Sequence, residues 1–365
     1  MNGLPVLNGF SIINVNDEKT IVVAECENHK SCFSTNERRL ATERVFLTEV
    51  NKNNYVVSAI KPTIVSALGA VSKTDSNDIR LIHDASRPLN RSLNYYASVE
   101  KTHYTSIDKV CLILKPNGYL AKVDLSQAYR HVPLSPNNYC ATGLKWKFTG
   151  CLEFTYMYDT KLCFGAAKAP SIFQRVLKRR GFKGVCVYLD DFIIVADTYE
   201  ECKYAFDCLV DLLVSLGFTI NWNKVVEPAQ QIVFLGVLID SVNCTLSIPE
   251  LKLTELKTEI KLWLHKKKAT KRQLQHIIGK LSWAAKLLHG TRSFIMRLID
   301  LMCTIKHSNF HVRLKHAVRD DLLYLSRACE IFNGTVVLLC GSPLPEVVIS
   351  TDAYVTGGAA YYNTD

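Results

Sequence analysis

Between about residues 79 and 240, short apolar runs rich in β-branched residues alternate with stretches of helical period. That alternation is the pattern of an α/β fold. The clearest strand runs are residues 79–82, 119–124, 185–196 and 232–239. Between the last two, residues 199–216 carry apolar positions at helical spacing and stop at Gly217. From residue 247 the texture becomes helical. Ser247-x-x-Glu250 reads as a capping box ahead of Leu253, Leu256, Ile260 and Leu264 on one face. Thr270-x-x-Gln273 reads as a second, followed by Leu274, Ile277, Ile278, Leu281, Ala285 and Leu288 and ending at Gly290. A third helix runs through Leu314, Val318, Leu322 and Leu325. Residues 333–345, with Asn333-Gly334 and two prolines, read as a linker. The last twenty residues read as a β-hairpin turning at Thr356-Gly357-Gly358. Residues 1–54 show no clear period and are read as an N-terminal extension.

Composition bounds the class. A length of 365 residues suggests two to three folding units at ~150 residues each. With 48% apolar and 21% charged residues the chain can bury a core and is not of disordered type. The thirteen cysteines are odd in number, form no C-x-x-C, and often sit inside apolar runs such as Val185-Cys186-Val187. They read as reduced, small hydrophobes in an intracellular protein, cytoplasmic or nuclear. No secretory leader and no run of 18 apolar residues is visible, so no membrane partner is expected.

Charge then narrows the choice. The formal net charge is +10, and residues 247–300 hold twelve Lys and Arg against four acids. A second basic cluster comprises Arg175, Lys178, Arg179, Arg180 and Lys183. Clusters of this kind suit salt-sensitive phosphate binding.

The sharpest chemical signal lies at residues 185–195, where two apolar runs are joined by Asp190-Asp191. One reading is a hairpin with a solvated acidic turn. However, no Gly or Asn supplies the positive φ that a tight turn prefers, and acids between buried strands are costly without a cation. The run 119–124 ends in another acid, Asp124. Three carboxylates at strand ends can hold two Mg²⁺ ions for phosphoryl transfer.

Tyr188-Leu189-Asp190-Asp191 resembles the catalytic box of reverse transcriptases. Around it stand further motifs in that family's order: Leu68 to Lys73, Arg80 to Asn90, Val123-Asp124-Leu-Ser-Gln-Ala-Tyr129, Leu162 to Gln174, Leu216 to Lys224, and Val233-Phe234-Leu235-Gly236. Together they cover about residues 55–240.

The resemblance implies an α/β (α+β) right-hand polymerase. Residues 55–245 would be fingers and palm, 246–332 a helical thumb, and 346–365 the truncated start of an RNase H-like domain. It implies RNA-directed DNA synthesis on a primed RNA or DNA template, with dNTPs and two Mg²⁺ ions, Mn²⁺ being a possible substitute. Asp124 and Asp190 would ligate the metals, with Asp191 a less direct ligand and the Leu125 carbonyl an extra oxygen. Lys73 and Arg80 would bind the triphosphate, and Tyr129 would exclude a ribose 2′-hydroxyl. Gly165 would leave room for the incoming base pair, and Lys224 would assist pyrophosphate departure. Pro170 and Gln174 would lie under the template, Phe234-Leu235-Gly236 would grip the primer, and Lys280 and Arg292 would reach it from the thumb.

The pattern departs from the family at two places. Phe164 stands where retroviral enzymes carry glutamine, and Cys163 where a proline is common. Segments around Gly279 and Arg292 are similar to tyrosine-recombinase (DIRS-type) retrotransposons. Residues 348–361 resemble the first RNase H hairpin, with Asp352 at its first carboxylate. Because the rest of that domain does not follow, no RNase H activity is expected. Two rivals stand beside the polymerase: a silent or domesticated remnant that only binds nucleic acid, and an RNA-templated RNA polymerase, against which Tyr129 argues. The oligomeric state is left open.

Overall fold

The computed structural model describes residues 9–13, 21–72, 79–97, 104–178, 184–288, 290–307, 310–331, 335–336, 349–354 and 357–362. The first strands and helices are β1 (Ala24–Glu25), α1 (Asn36–Asn51), β2 (Tyr55–Val57), β3 (Ile64–Val65), β4 (Ala67–Ser72), β5 (Ile79–Asp84) and α2 (Leu93–Tyr96). Next come α3 (Ile107–Ile113), β6 (Tyr119–Asp124), β7 (Gly143–Trp146), β8 (Thr155–Asp159), α4 (Ala169–Lys178), β9 (Val185–Tyr188), β10 (Asp191–Ala196) and α5 (Tyr199–Ser215). The chain continues through β11 (Val226–Ala229), β12 (Gln231–Phe234), β13 (Val237–Asp240), β14 (Thr245–Ser247) and α6 (Glu250–Leu264). It ends with β15 (Lys268–Thr270), α7 (Lys271–Ala284), α8 (Met296–Cys303), β16 (His311–Arg313), α9 (His316–Ile331), β17 (Thr335–Val336), β18 (Ile349–Tyr354) and β19 (Gly357–Tyr362).

These elements form two compact units. The first comprises Met1–Thr105, Lys122–Ile193 and Ala205–Val225. It holds a five-stranded sheet ordered β1-β3-β7-β8-β2 and the antiparallel β4–β5 hairpin. Helix α1 belongs to the stretch where no period was visible. Its exposed residues are charged or polar on most sides, yet Thr42, Glu43, Phe46 and Glu49 are buried. Phe46 packs on Tyr55 and Trp146. Thr35 caps the helix by accepting from the Arg38 N–H. Charged residues on the buried face hid the helix from a hydrophobic count.

Those buried charges are paired. Arg130 meets Glu49 and Asp159, and its guanidinium also donates to the Tyr55 hydroxyl. Burial, helped by the flanking carboxylates and opposed by Arg130, pushes the Tyr55 hydroxyl pKa far up.

The second unit comprises Ser106–Ala121, Ile194–Tyr204 and Val226–Asp365. Its β12, β13 and β14 form an antiparallel meander, and Thr335–Val336, inside the expected linker, add β17 to the β14 edge. Helices α6, α7 and α9 bury Leu253, Leu256, Ile260, Trp263, Leu274, Ile277, Leu281, Val318, Leu322 and Leu325. The Thr270–Gln273 capping box forms with both of its bonds.

The expected Ser247 capping box does not form. Ser247 is a β14 residue paired with Leu238, and α6 starts at Glu250 after Pro249. Proline keeps the residue before it out of the helical region, so the helix cannot begin earlier. In the tail, β18 and β19 pair antiparallel with Asp352 opposite Ala359, and the Asp352 side chain lies outside the described residues.

Removing the Arg130 charge leaves two buried carboxylates without their cation. Arg130→Met is expected to destabilise the fold by about 3–5 kcal/mol, read from the denaturant midpoint, whereas Arg39→Met at a more exposed pair costs under ~1 kcal/mol.

Candidate active site

Backbone pairing brings the three carboxylates together. Asp124 closes β6, Asp190 lies with Leu189 in the turn between β9 and β10, and Asp191 opens β10. The Leu125 N–H donates to the Asp190 carbonyl at 3.1 Å, tying the two strand ends to each other. On the other side, the Asn221 N–H donates to the Asp124 carbonyl at 2.9 Å and the Ser126 N–H to Thr219 at 2.8 Å. Neither of these bonds uses the Leu125 carbonyl, the expected extra oxygen ligand.

The turn is strained. With no glycine available, Leu189 itself adopts φ +54°, and Gln127, just after Asp124, adopts φ +50°. Three of the seven non-glycine residues at positive φ among the described residues are asparagines, which tolerate it. Leu189 and Gln127 do not tolerate it, and such residues persist only where the surroundings over-determine them, at a cost of about 1–3 kcal/mol each.

Electrostatics follow from position. Asp124 is 5% exposed, and its Oδ1 accepts from the Asn221 side-chain amide at 2.9 Å. The Lys224 ammonium stands 3.5 Å from Asp124 Oδ2, and Lys122 stands 3.2 Å from Asp191 Oδ1. Burial raises the Asp190 carboxyl pKa above the ordinary range, and the Asp124 charge adds to the rise. Burial also raises Asp191, against the pull of Lys122. Three carboxylates drawn together and partly or wholly out of water are a hard oxygen donor set suited to Mg²⁺.

Aromatic packing gathers the expected nucleotide-binding residues. Tyr129 lies 5.0 Å from Phe164 and 5.4 Å from Phe173 between ring centroids. Burial raises the Tyr129 phenol, as does the nearby Asp190 charge. The exposed Arg80 guanidinium stands 6.0 Å over the Phe164 ring, and its charge reaches Asp190. Lys73 lies outside the described residues.

Gly165 has a structural reason to be glycine. It has φ +119°, and a Cβ there would lie 2.0 Å from the His83 carbonyl oxygen. Pro170 is half-buried near the start of α4. The Gln174 side chain is buried, so it faces protein rather than a template.

In the second unit, Phe234 is fully buried, whereas Leu235 at φ +48° and Gly236 at φ +85° are half-buried. Gly236 sits against Lys252 and the Trp283 ring. Lys280 pairs with Glu259, and Arg292 is exposed on a 3₁₀ turn. Lys122 and Asn221 were missed as site residues. For Lys122 the signal was present: strand period two puts it on the same face as Asp124.

The class of protein this defines is a mixed α/β fold shared with retroviral reverse transcriptases. The foamy viral protease–reverse transcriptase in complex with dsDNA matches with a TM-score of 0.73 at 16% identity, over 98% of this chain and 69% of that one. The same viral protein in complex with an RNA/DNA hybrid matches with a TM-score of 0.72 at 17% identity, over 97% of this chain and 44% of that one. Residues 71–239, a little under half of the chain, match the family described as reverse transcriptase (RNA-dependent DNA polymerase). Among curated relatives, the Gag-Pol polyprotein of avian reticuloendotheliosis virus is 24% identical over 60% of this chain. The enzymatic polyprotein of Cassava vein mosaic virus is 28% identical over 59% of it. The chain spans 19% and 30% of those two proteins.

The raised Asp190 pKa fixes a sign. A carboxylate whose folded-state pKa is raised costs stability once pH climbs through that pKa, and costs nothing below the ordinary carboxylate range. Asp190→Asn is therefore expected to melt higher than the parent at pH 7 in EDTA, the gap closing as the pH falls through the carboxylate range. Mg²⁺ at about 100 times its Kd stabilises the parent by about 2.7 kcal/mol and the variant by far less. Differential scanning calorimetry across pH, with and without Mg²⁺, reads both effects.

Proposed function

We propose that this chain is the RNA-directed DNA polymerase of a retrotransposon, of the LTR or tyrosine-recombinase (DIRS) kind. The observation that carries this reading is the convergence of Asp124, Asp190 and Asp191 at adjoining strand ends, with Lys224 and Lys122 beside them. Asp124 and Asp190, assisted by Asp191, would hold two Mg²⁺ ions or Mn²⁺ in their place. Bound there, the ions supply neutralisation of the attacking and leaving oxygens in phosphoryl transfer.

The remaining work falls to the side chains. Arg80, held over Phe164, offers a guanidinium to the triphosphate of a dNTP, with Lys73 as its companion. Tyr129, wedged between Phe164 and Phe173, presents a fixed ring that closes the space a ribose 2′-hydroxyl would need. Lys224 is exposed and 3.5 Å from Asp124, a position from which its ammonium can follow a departing pyrophosphate. The basic helices of the second unit offer the phosphate contacts for a primed RNA or DNA template.

Primer extension on an RNA template with Mg²⁺ and dNTPs tests the reading. Asp190→Asn and Asp124→Asn are expected to lower kcat by at least ~10³-fold while retaining primer–template affinity. Equal activity in parent and variants, or binding without extension in all of them, would defeat the polymerase in favour of a nucleic-acid-binding remnant. A separate measurement addresses Tyr129. Tyr129→Ala is expected to admit rNTPs at least ~10-fold better relative to dNTPs, or about 1.4 kcal/mol of lost discrimination, and an unchanged ratio would remove the steric role.

A further inference from the structure

One cluster of metal-ligating side chains lies apart from the catalytic carboxylates. His83 on β5, Asp159 at the end of β8 and Cys163 four residues later are all buried, and their donor atoms lie within 4.8 Å of one another. They come from two separate parts of the first unit. His83 pairs with Leu68 in the β4–β5 hairpin, and Asp159 pairs with Tyr55 at the edge of the five-stranded sheet. The loop carrying Cys163 is pressed onto β5 at Gly165, whose α-carbon abuts the His83 carbonyl.

The polar bookkeeping of this cluster does not close. Both ring nitrogens of His83 are buried without a hydrogen-bond partner. A buried imidazole normally satisfies at least one of its nitrogens, and an unpaired one costs about 1–3 kcal/mol. Burial holds His83 neutral, with its pKa pushed down to about 3, and therefore with a free lone pair. Burial also pushes the Cys163 thiol up to about 12. Asp159 accepts from Arg130 at Oδ2 and from the Lys161 N–H at Oδ1, which leaves further lone pairs on both oxygens. Hydrogen bonds of that kind are what normally orient a metal-ligating carboxylate.

Charge points the same way. Arg130 faces two carboxylates, Glu49 and Asp159, so the buried cluster carries one negative charge more than positive. A divalent cation that displaces the Cys163 proton to solvent brings the cluster to neutrality.

We propose that His83, Asp159 and Cys163 form a zinc site, with one imidazole nitrogen, one carboxylate oxygen and one thiolate as ligands and water in the fourth position. The mixed nitrogen, sulfur and oxygen donor set matches zinc rather than Mg²⁺, which takes oxygen. Zinc bonds of about 2.0–2.3 Å place tetrahedral ligand atoms ~3.5 Å apart, so the cluster closes by ~1 Å on binding. The ion would tie the β4–β5 hairpin to the loop that carries Phe164 and Gly165, and so fix the floor under Tyr129 and Arg80. It is distinct from the catalytic metals in donor type, and it stands whether or not the chain polymerises.

The full chain, produced with zinc in the medium and dialysed against metal-free buffer, tests the site. Elemental analysis is expected to find about one zinc per chain, and X-ray absorption at the zinc edge a shell of one sulfur with nitrogen and oxygen. Cys163→Ala and His83→Gln are each expected to lower zinc content at least tenfold, while Asp190→Asn leaves it unchanged. If those two variants prove insoluble, the sulfur count in the parent decides. A zinc-free parent that is fully folded, a shell with two or more sulfurs, or soluble Cys163→Ala with undiminished zinc would each overturn the proposal.

Discussion

Like charges do not gather out of water unless something holds them, and here the backbone holds them. The Leu125–Asp190 hydrogen bond on one side of Asp124 and the Asn221 bonds on the other leave the three carboxylates nowhere to separate. Much of the first unit serves that arrangement. Residues 122–124 reach the site as a strand, Leu189 accepts a left-handed conformation so that the turn can be tight, and Lys122 and Lys224 supply the only close cations among the described residues. Strain and repulsion are therefore concentrated where charge compensation by a ligand would be worth most. Well-packed surroundings absorb the cost: Val123, Ile193 and Ile194 are fully buried beside the acids.

A second buried charge group follows the opposite rule. Arg130, Glu49 and Asp159 are largely buried and directly paired, so they fix geometry rather than wait for a substrate. The same unit thus holds one set of carboxylates in direct contact with a buried guanidinium and one set flanked only by lysine ammonium groups. Burial raises the carboxyl pKa at Asp159, Asp190 and Asp191 alike; the difference lies in what stands next to each. Asp159 has a guanidinium in contact, whereas Asp190 has only the more distant influence of Lys224 and Arg80. An accessible set of carboxylates without a guanidinium in contact is the kind that takes cationic ligands.

The strands and helices that the apolar pattern marked out are those whose burial is one-sided or complete. Residues 119–124, 185–196, 232–239 and the faces of α6, α7 and α9 were legible for that reason. Helix α1 was not, because its inner face carries Thr42, Glu43 and Glu49 and depends on partners distant in sequence. The three clustered acids were legible because an acid closing an apolar strand demands an explanation. Asn221 was illegible: its role depends on reaching Asp124 across 97 positions of sequence. Gln174 and Phe234 show the converse error, since a motif match says which residues recur but not which way they face. Both are buried.

The basic helices show why a charge count is a weaker guide than the disposition of each charge. Of the cations in residues 247–300, Lys280 is engaged by Glu259 and Arg297 by Asp321, while Lys252 and Lys266 lie over Trp283 and Trp263. Resting on an aromatic ring anchors the stem of a lysine without cancelling its charge. Lys252 and Lys266 are therefore held in place with their charge intact, which suits a surface that must meet a regular row of phosphates. Lys280 and Arg297 are already paired and would have to give up an acid to meet one. Pre-positioned, uncancelled cations reduce the ordering cost of binding, so the lysines on tryptophan, more than the total of +10, are the charges of this unit best placed to meet an anionic ligand.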